Sequence, residues 1–122
     1  MFVLDTNIII YYLQGNSEVA SFIDAKRAQG EQFTVSAMSV VELFSYPQIT
    51  AEEIYMIERW LKTVLVVEAD MVIAREAARL RRSYNTTTVD SLIAATALLF
   101  HADLITNDEA FYKIKDIKVI SL

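Results

Sequence analysis

Residues 88–108, TVDSLIAATALLFHADLITND, decide the fold. Thr88, Val89 and Asp90 open a helix whose middle, Leu92 to Phe100, is almost wholly apolar. Leu104-Ile105-Thr106 then reads as a short strand running into Asn107-Asp108. The apolar stretch is far shorter than the roughly 20 residues a membrane span needs, so this is a helix buried by protein. An acid stands at its mouth and another at the end of the strand that follows, so two carboxylates can reach one place.

The same grammar recurs outward from this stretch. Phe2-Val3-Leu4 is an apolar strand ending at Asp5-Thr6, and Asn7 to Gln14 continues as a helix that Gly15 closes. Asn16 or Ser17 caps a second helix with Val19, Ala20, Phe22 and Ile23 as its stripe and Gly30 as its stop. Phe33-Thr34-Val35 is a strand, and Ser36 to Tyr46 a helix ended by Pro47. Thr50-Ala51-Glu52-Glu53 is a capping box opening a helix through Trp60 and Leu61, followed by a strand over Val64 to Val67. Asp70 caps a helix from Met71 to Ser83 that buries Ile73, Ala74, Ala77, Ala78 and Leu80. A cap-rich loop, Asn85 to Thr88, leads into the opening stretch, with its helix over Val89 to Ala102. Last come a short helix over Asp108 to Ile114 and a strand over Ile117 to Ile120.

Strands separated by helices throughout predict an α/β fold in three layers, α/β/α, around a central, mainly parallel sheet of four or five strands with six or seven helices. At 122 residues, 54% of them hydrophobic, the chain is expected to be a single domain over 1–122. With no cysteine there is neither a disulfide framework nor a thiolate metal site. The start, MFVLDTN, carries Asp5 inside its apolar run and no basic segment, so a cytoplasmic protein is expected. A net charge of −5 argues against general electrostatic attraction to nucleic acid or anionic lipid. A polyanionic substrate therefore needs positive charge from elsewhere.

Each acid has an ordinary explanation on its own. Asp5 and Asp108 are good N-caps, Asp90 complements a helix dipole, and Ser39-Val40-Val41-Glu42 has the spacing of a capping box. Capping does not explain why Asp5, Glu42, Asp90 and Asp108 all fall where a strand has just ended and a helix begins. In a parallel sheet those places share one edge, outside the carboxyl ends of the strands, where ligands of open α/β sheets bind. Two carboxylates about 5 Å apart at an effective dielectric near 20 repel by roughly 3 kcal/mol, and a divalent cation removes that cost. Oxygen ligands with no nearby His or Cys select Mg²⁺ or Mn²⁺. The chemistry this suits is phosphodiester hydrolysis by metal-activated water. Thr6, Asn7, Thr106 and Asn107 flank the first and last acids and can orient carboxylates or water, or serve only as turn and cap residues.

LDTNIII after the first strand, SVVEL in mid-chain, VDSLIAATAL and LITND together resemble a PIN domain of the VapC toxin type, over nearly the whole chain. The resemblance implies a PIN-like fold and a Mg²⁺- or Mn²⁺-dependent endoribonuclease with Asp5, Glu42, Asp90 and Asp108 on the acidic positions. It sets Thr106, and more weakly Asn7, on polar accessory positions. It further implies a homodimer and a small antitoxin protein covering the acidic groove. Thr88-Val89 stands where that family often has a Leu-Pro-like pair.

Several other features are read as structural. His101 lies near the end of an apolar helix, where imidazolium complements the dipole rather than acting as a base. Trp60, with Tyr55 and Met56, is expected in the core or a dimer contact. Arg75, Arg79, Arg81 and Arg82 form either a solvated helix face or a phosphate track, with Glu76 interrupting the set. Competing readings are a non-toxin PIN-type nuclease in RNA processing and a non-catalytic RNA- or protein-binding module of the same fold. A receiver-like domain wants a Lys at the end of a late strand, where Thr106-Asn107-Asp108 has none. A haloacid-dehalogenase-like phosphatase wants an Asp at position 7, which is Asn.

Overall fold

The computed structural model describes residues 1–122. Five strands form one sheet, β1 (Phe2–Leu4), β2 (Phe33–Ser36), β3 (Leu65–Val67), β4 (Asp103–Ile105) and β5 (Val119–Ile120), in the order β3-β2-β1-β4-β5. Every pairing is parallel. Six α-helices connect or flank them: α1 (Thr6–Leu13), α2 (Ser17–Ala28), α3 (Ala37–Phe44), α4 (Ala51–Leu61), α5 (Met71–Tyr84) and α6 (Thr88–Leu99).

The two-residue period of a strand explains the layering. In β1, Phe2 and Leu4 join one core with Ile8, Ile23, Leu43 and Trp60 from α1 to α4, while Val3 between them joins another with Leu80, Ile93 and Ala97 from α5 and α6. β1 thus lies at the centre with both faces buried, as the apolar run predicted. Leu92 to Phe100 is the scaffold expected of it: Ile93, Ala94, Ala95, Thr96 and Ala97 are all buried. No helix is long and apolar enough to cross a membrane.

The caps hold where local chemistry decides them. Asn16, Asp70 and the Thr50/Glu53 box each accept or exchange the expected backbone hydrogen bond. Several boundaries differ. The third helix stops at Phe44 rather than Tyr46, because Pro47 disfavours helix at the residue before it and Ser45 already closes the turn. The last predicted helix shrinks to a 3₁₀ turn over Glu109–Phe111, and the last strand to two residues. In α5, Ala74 and Ala78 are exposed, so its buried stripe narrows to Ile73, Ala77 and Leu80. His101 takes a left-handed backbone (φ 51°) just past the α6 C-cap, Phe100. Its N–H donates to Leu98 and that of Ala102 to Ala97, a Schellman closure normally built on glycine.

Candidate functional site

From β1 the chain fills the sheet outward through β2 and β3, then crosses back to place β4 on the other side of β1. The direction of winding reverses between β1 and β4, and a crevice opens at the carboxyl ends of strands around such a reversal. Asp5 follows β1 directly, Thr106 follows β4, and the two meet across the reversal.

Asp5 is 6% exposed and caps α1, accepting the Thr6 N–H on Oδ1 at 2.8 Å. Its Oδ2 accepts the hydroxyl of fully buried Thr106 at 2.7 Å. That hydroxyl in turn accepts the Asp108 N–H at 3.0 Å, which leaves its single proton for Asp5. On the other side of Asp5, the Thr6 hydroxyl donates to Glu42 Oε1 at 2.7 Å. A continuous path therefore runs Glu42–Thr6–Asp5–Thr106–Asp108 and ties three of the four acids.

Glu42 is free for this because the capping-box reading of Ser39 to Glu42 does not hold. α3 begins at Ala37, its N-cap is Ser36, whose hydroxyl accepts from Met38 N–H, and Ser39 is buried inside the helix. Asp108 does cap, accepting the Ala110 N–H at 2.9 Å.

Asp90 is different. It lies in the first turn of α6, its own N–H bound by the Thr87 cap at 3.1 Å, and no hydrogen bond joins it to the other acids. It meets them only as like charge. Burial pushes the Asp90 carboxyl up, the Thr87 hydroxyl opposes, and the charges of Asp108 and Glu42 push it further, with Lys113 pulling back. Asp5 is also raised, first by burial, against the hydrogen bonds from Thr106 and Thr6, with Asp90 and Glu42 adding repulsion. The four acids thus feel one another, but only Asp5 and Asp108 stand just after a strand as expected. Glu42 lies in the second turn of α3, and Asp90 opens α6 behind helix α5 rather than behind a strand.

No group of three acidic or imidazole side chains is arranged to hold an ion. Mg²⁺ does not need one: it usually takes one or two carboxylates, keeps several waters and draws its remaining ligands from phosphate. The donor set here is all oxygen, with no thiolate or imidazole in it, so the chemistry of the residues present fits a hard divalent cation.

Asn7 is exposed on α1. Asn107 turns away, its side-chain oxygen accepting from Ser121 Oγ and Leu122 N at the end of the chain. Trp60 is in the core, tilted against Tyr12. Arg79 is taken up by Glu76 and Asp116. Lys113, the cation beside Asp90, was not singled out from the sequence; the contact is made in three dimensions and leaves no local pattern. A half-open apolar groove of about 530 Å³ also abuts Glu42, lined by Ile10, Leu13, Tyr46, Ile49 and Met56 from α1, α4 and the turn after α3.

Replacing Thr106 by Val keeps the shape but removes the donor to Asp5 and the acceptor for Asp108. An expected loss of about 1–3 kcal/mol in chemical denaturation follows from leaving buried polar groups unpaired. Unchanged stability would mean that the path does not hold the acids in place.

An open parallel sheet whose winding reverses at β1, with helices on both faces, defines the class as doubly wound α/β. The chain belongs to the PIN domain family, which it matches over residues 2–117. It is 30% identical to Ribonuclease VapC19 of Mycobacterium tuberculosis over 113 residues, covering 88% of this chain and 89% of the relative. The fold is shared with VapBC2 from Rickettsia felis, solved bound to a DNA fragment from its promoter, at a TM-score of 0.87 and 18% identity, covering 99% and 98% of the two chains. A toxin-antitoxin complex from Klebsiella pneumoniae is similar at a TM-score of 0.77 and 27% identity, covering 98% and 96%.

Proposed function

We propose that the chain is a Mg²⁺- or Mn²⁺-dependent endoribonuclease, the toxin of a toxin-antitoxin pair, with Asp5, Glu42, Asp90 and Asp108 as its metal-binding and catalytic acids. The observation that carries the reading is Asp90: a half-buried carboxylate that feels the charges of Asp108 and Glu42, adds its own to Asp5, and shares no hydrogen bond with any of them. Lys113 is the cation set against that repulsion, and a divalent ion would add to it. A divalent ion, when bound, makes water nucleophilic at neutral pH and neutralises charge building on the phosphoryl oxygens.

The chain's own residues supply position. Each Asp5 oxygen spends one acceptor site on Thr6 or Thr106 and retains another, so the carboxylate is fixed without being used up. Thr6 does the same for Glu42. Asn7, exposed next to them, is assigned a lesser role in orienting water.

Partner binding follows the same reading. The apolar groove beside Glu42 suits one face of an amphipathic helix, and a small antitoxin docked there would bring its following residues to the acids. Leu65 and Val66 on the sheet edge, and Met71 and Val72 at the start of α5, are exposed apolar residues available to a second copy in a homodimer.

Incubation of the purified chain with a panel of RNAs tests the activity. Internal cleavage in Mg²⁺ or Mn²⁺, lost in EDTA, is expected; cleavage equal in EDTA, or none with either ion, overturns it. Induced expression in a bacterial host is expected to arrest growth, with relief by the neighbouring reading frame. Unimpaired growth would remove the toxin role and leave the nuclease.

A further inference from the structure

The α5–α6 loop, Asn85 to Thr87, delivers Asp90 to the acidic edge, and two cations are fastened to it in an unusual manner. Lys113 Nζ donates to the Asn85 carbonyl at 3.1 Å, and Arg81 Nε donates to the Thr86 carbonyl at 3.1 Å. Neither forms an ion pair with a carboxylate, whereas Arg79 is held by Glu76 and Asp116 and Lys118 by Asp103. A backbone carbonyl orients a cation without cancelling its charge. Both side chains belong to exposed residues.

They reach the loop from two separate elements. Arg81 comes from the last turn of α5, and Lys113 from the segment that carries Asp108. That segment is pinned by buried Phe111 and Ile114, and by Asp116, which binds Arg79 and the Tyr84 hydroxyl. The two cations are therefore held beside the loop that joins α5 to Asp90, in a chain whose net charge of −5 otherwise repels a polyanion. Thr87, the next residue, receives the Asp90 N–H.

We propose that Lys113 and Arg81 form a phosphate clamp that binds backbone phosphates of the RNA strand next to the bond held at the acidic cluster. The proposal rests on the ribonuclease reading and adds the residues that hold the strand. The guanidinium has its terminal nitrogens left for a phosphate, and the ammonium two of its three protons. The alternative is plain helix capping: cations favour the carbonyl end of a helix, and Asn85 closes α5. Capping calls for donors at those carbonyls; a clamp calls for charge.

The test uses a mixed-sequence single-stranded RNA oligonucleotide and a chain silenced by Glu42→Gln, whose amide oxygen still accepts from Thr6. Affinity is measured by fluorescence anisotropy against salt in Mg²⁺. Removing one cation that neutralises a phosphate flattens the slope of log K against log salt by about 0.7 for a single strand. Lys113→Gln is expected to flatten it by about 0.7 and Lys113→Gln with Arg81→Gln by about 1.4, while Lys113→Arg retains it. Equal slopes in all variants, with only a lower melting temperature in the Gln forms, overturn the clamp and leave capping. Acetylation of wild-type lysines with and without the oligonucleotide gives a reading independent of variant folding: Lys113 is expected to be protected and exposed Lys62 is not. Equal labelling of Lys113 overturns the clamp. Metal-dependent cleavage by the unaltered chain, measured separately, tests the parent reading.

Discussion

Asp90→Asn is expected to lower RNA cleavage by about 10²–10³-fold or more, the order seen when an enzyme loses one fixed group that stabilises transition-state charge. The same substitution is expected to leave the metal-free protein melting no lower than wild type. Two readings of Asp90 separate here. As a first-turn acid it should help α6 by about 0.3–1 kcal/mol through the helix dipole, and its neutralisation should cost that much. As a member of a crowded acidic cluster it is raised by burial and by Asp108 and Glu42, so its charge opposes folding. The sign follows from linkage. A carboxyl that holds its proton more tightly folded than unfolded loses stability as pH rises above its ordinary value of 3.8 toward the folded value. That loss persists at neutral pH, and Asn removes it. Clear destabilisation of metal-free Asp90→Asn would return the residue to a capping role. Asp5→Asn is a less clean test, because its Oδ2 accepts from Thr106 and an amide nitrogen at that position would not.

Metal is expected to raise the melting temperature, and EDTA to reverse the rise. An ion that binds only the folded chain stabilises it by about 2.7 kcal/mol at 100 times its dissociation constant. For a chain of this length that is a shift on the order of 10 °C. The rise should be largest where the repulsion is largest, so Asp90→Asn should lose most of it, while Asp103→Asn, whose carboxylate is already held by Lys118, should keep it. A melting temperature unchanged across millimolar Mg²⁺ and Mn²⁺ would contradict a preformed site.

What could be read from the sequence was whatever local chemistry decides. Asp5 and Asp108 were legible because each follows the end of a strand, and a parallel sheet brings such ends to one edge whatever the order of its strands. Glu42, in the second turn of α3, and Asp90, which opens α6 behind helix α5, do not sit at such junctions and reach that edge through their helices. The order itself, with β1 at the centre, could not be read, because it depends on which strand edges pair across long stretches of chain. The capping-box reading of Glu42 failed for a related reason: Ser36 wins the cap one turn earlier and releases Glu42 to a threonine 36 residues away in sequence. Lys113, Arg81 and the apolar groove beside Glu42 arise only when separate elements meet. Ala74 and Ala78 show the limit of helical periodicity, since alanine is small enough to fit either face of α5 and its spacing does not fix which.

The central claim is that four separately encoded carboxylates act as one ion site. Calorimetric titration of Mn²⁺ into the metal-free wild type, Asp90→Asn and Asp103→Asn measures this directly. Saturable binding in the wild type and Asp103→Asn, abolished or weakened by at least about tenfold (about 1.4 kcal/mol) in Asp90→Asn, is the predicted result. Identical isotherms for wild type and Asp90→Asn, or no binding at millimolar Mn²⁺, would contradict it.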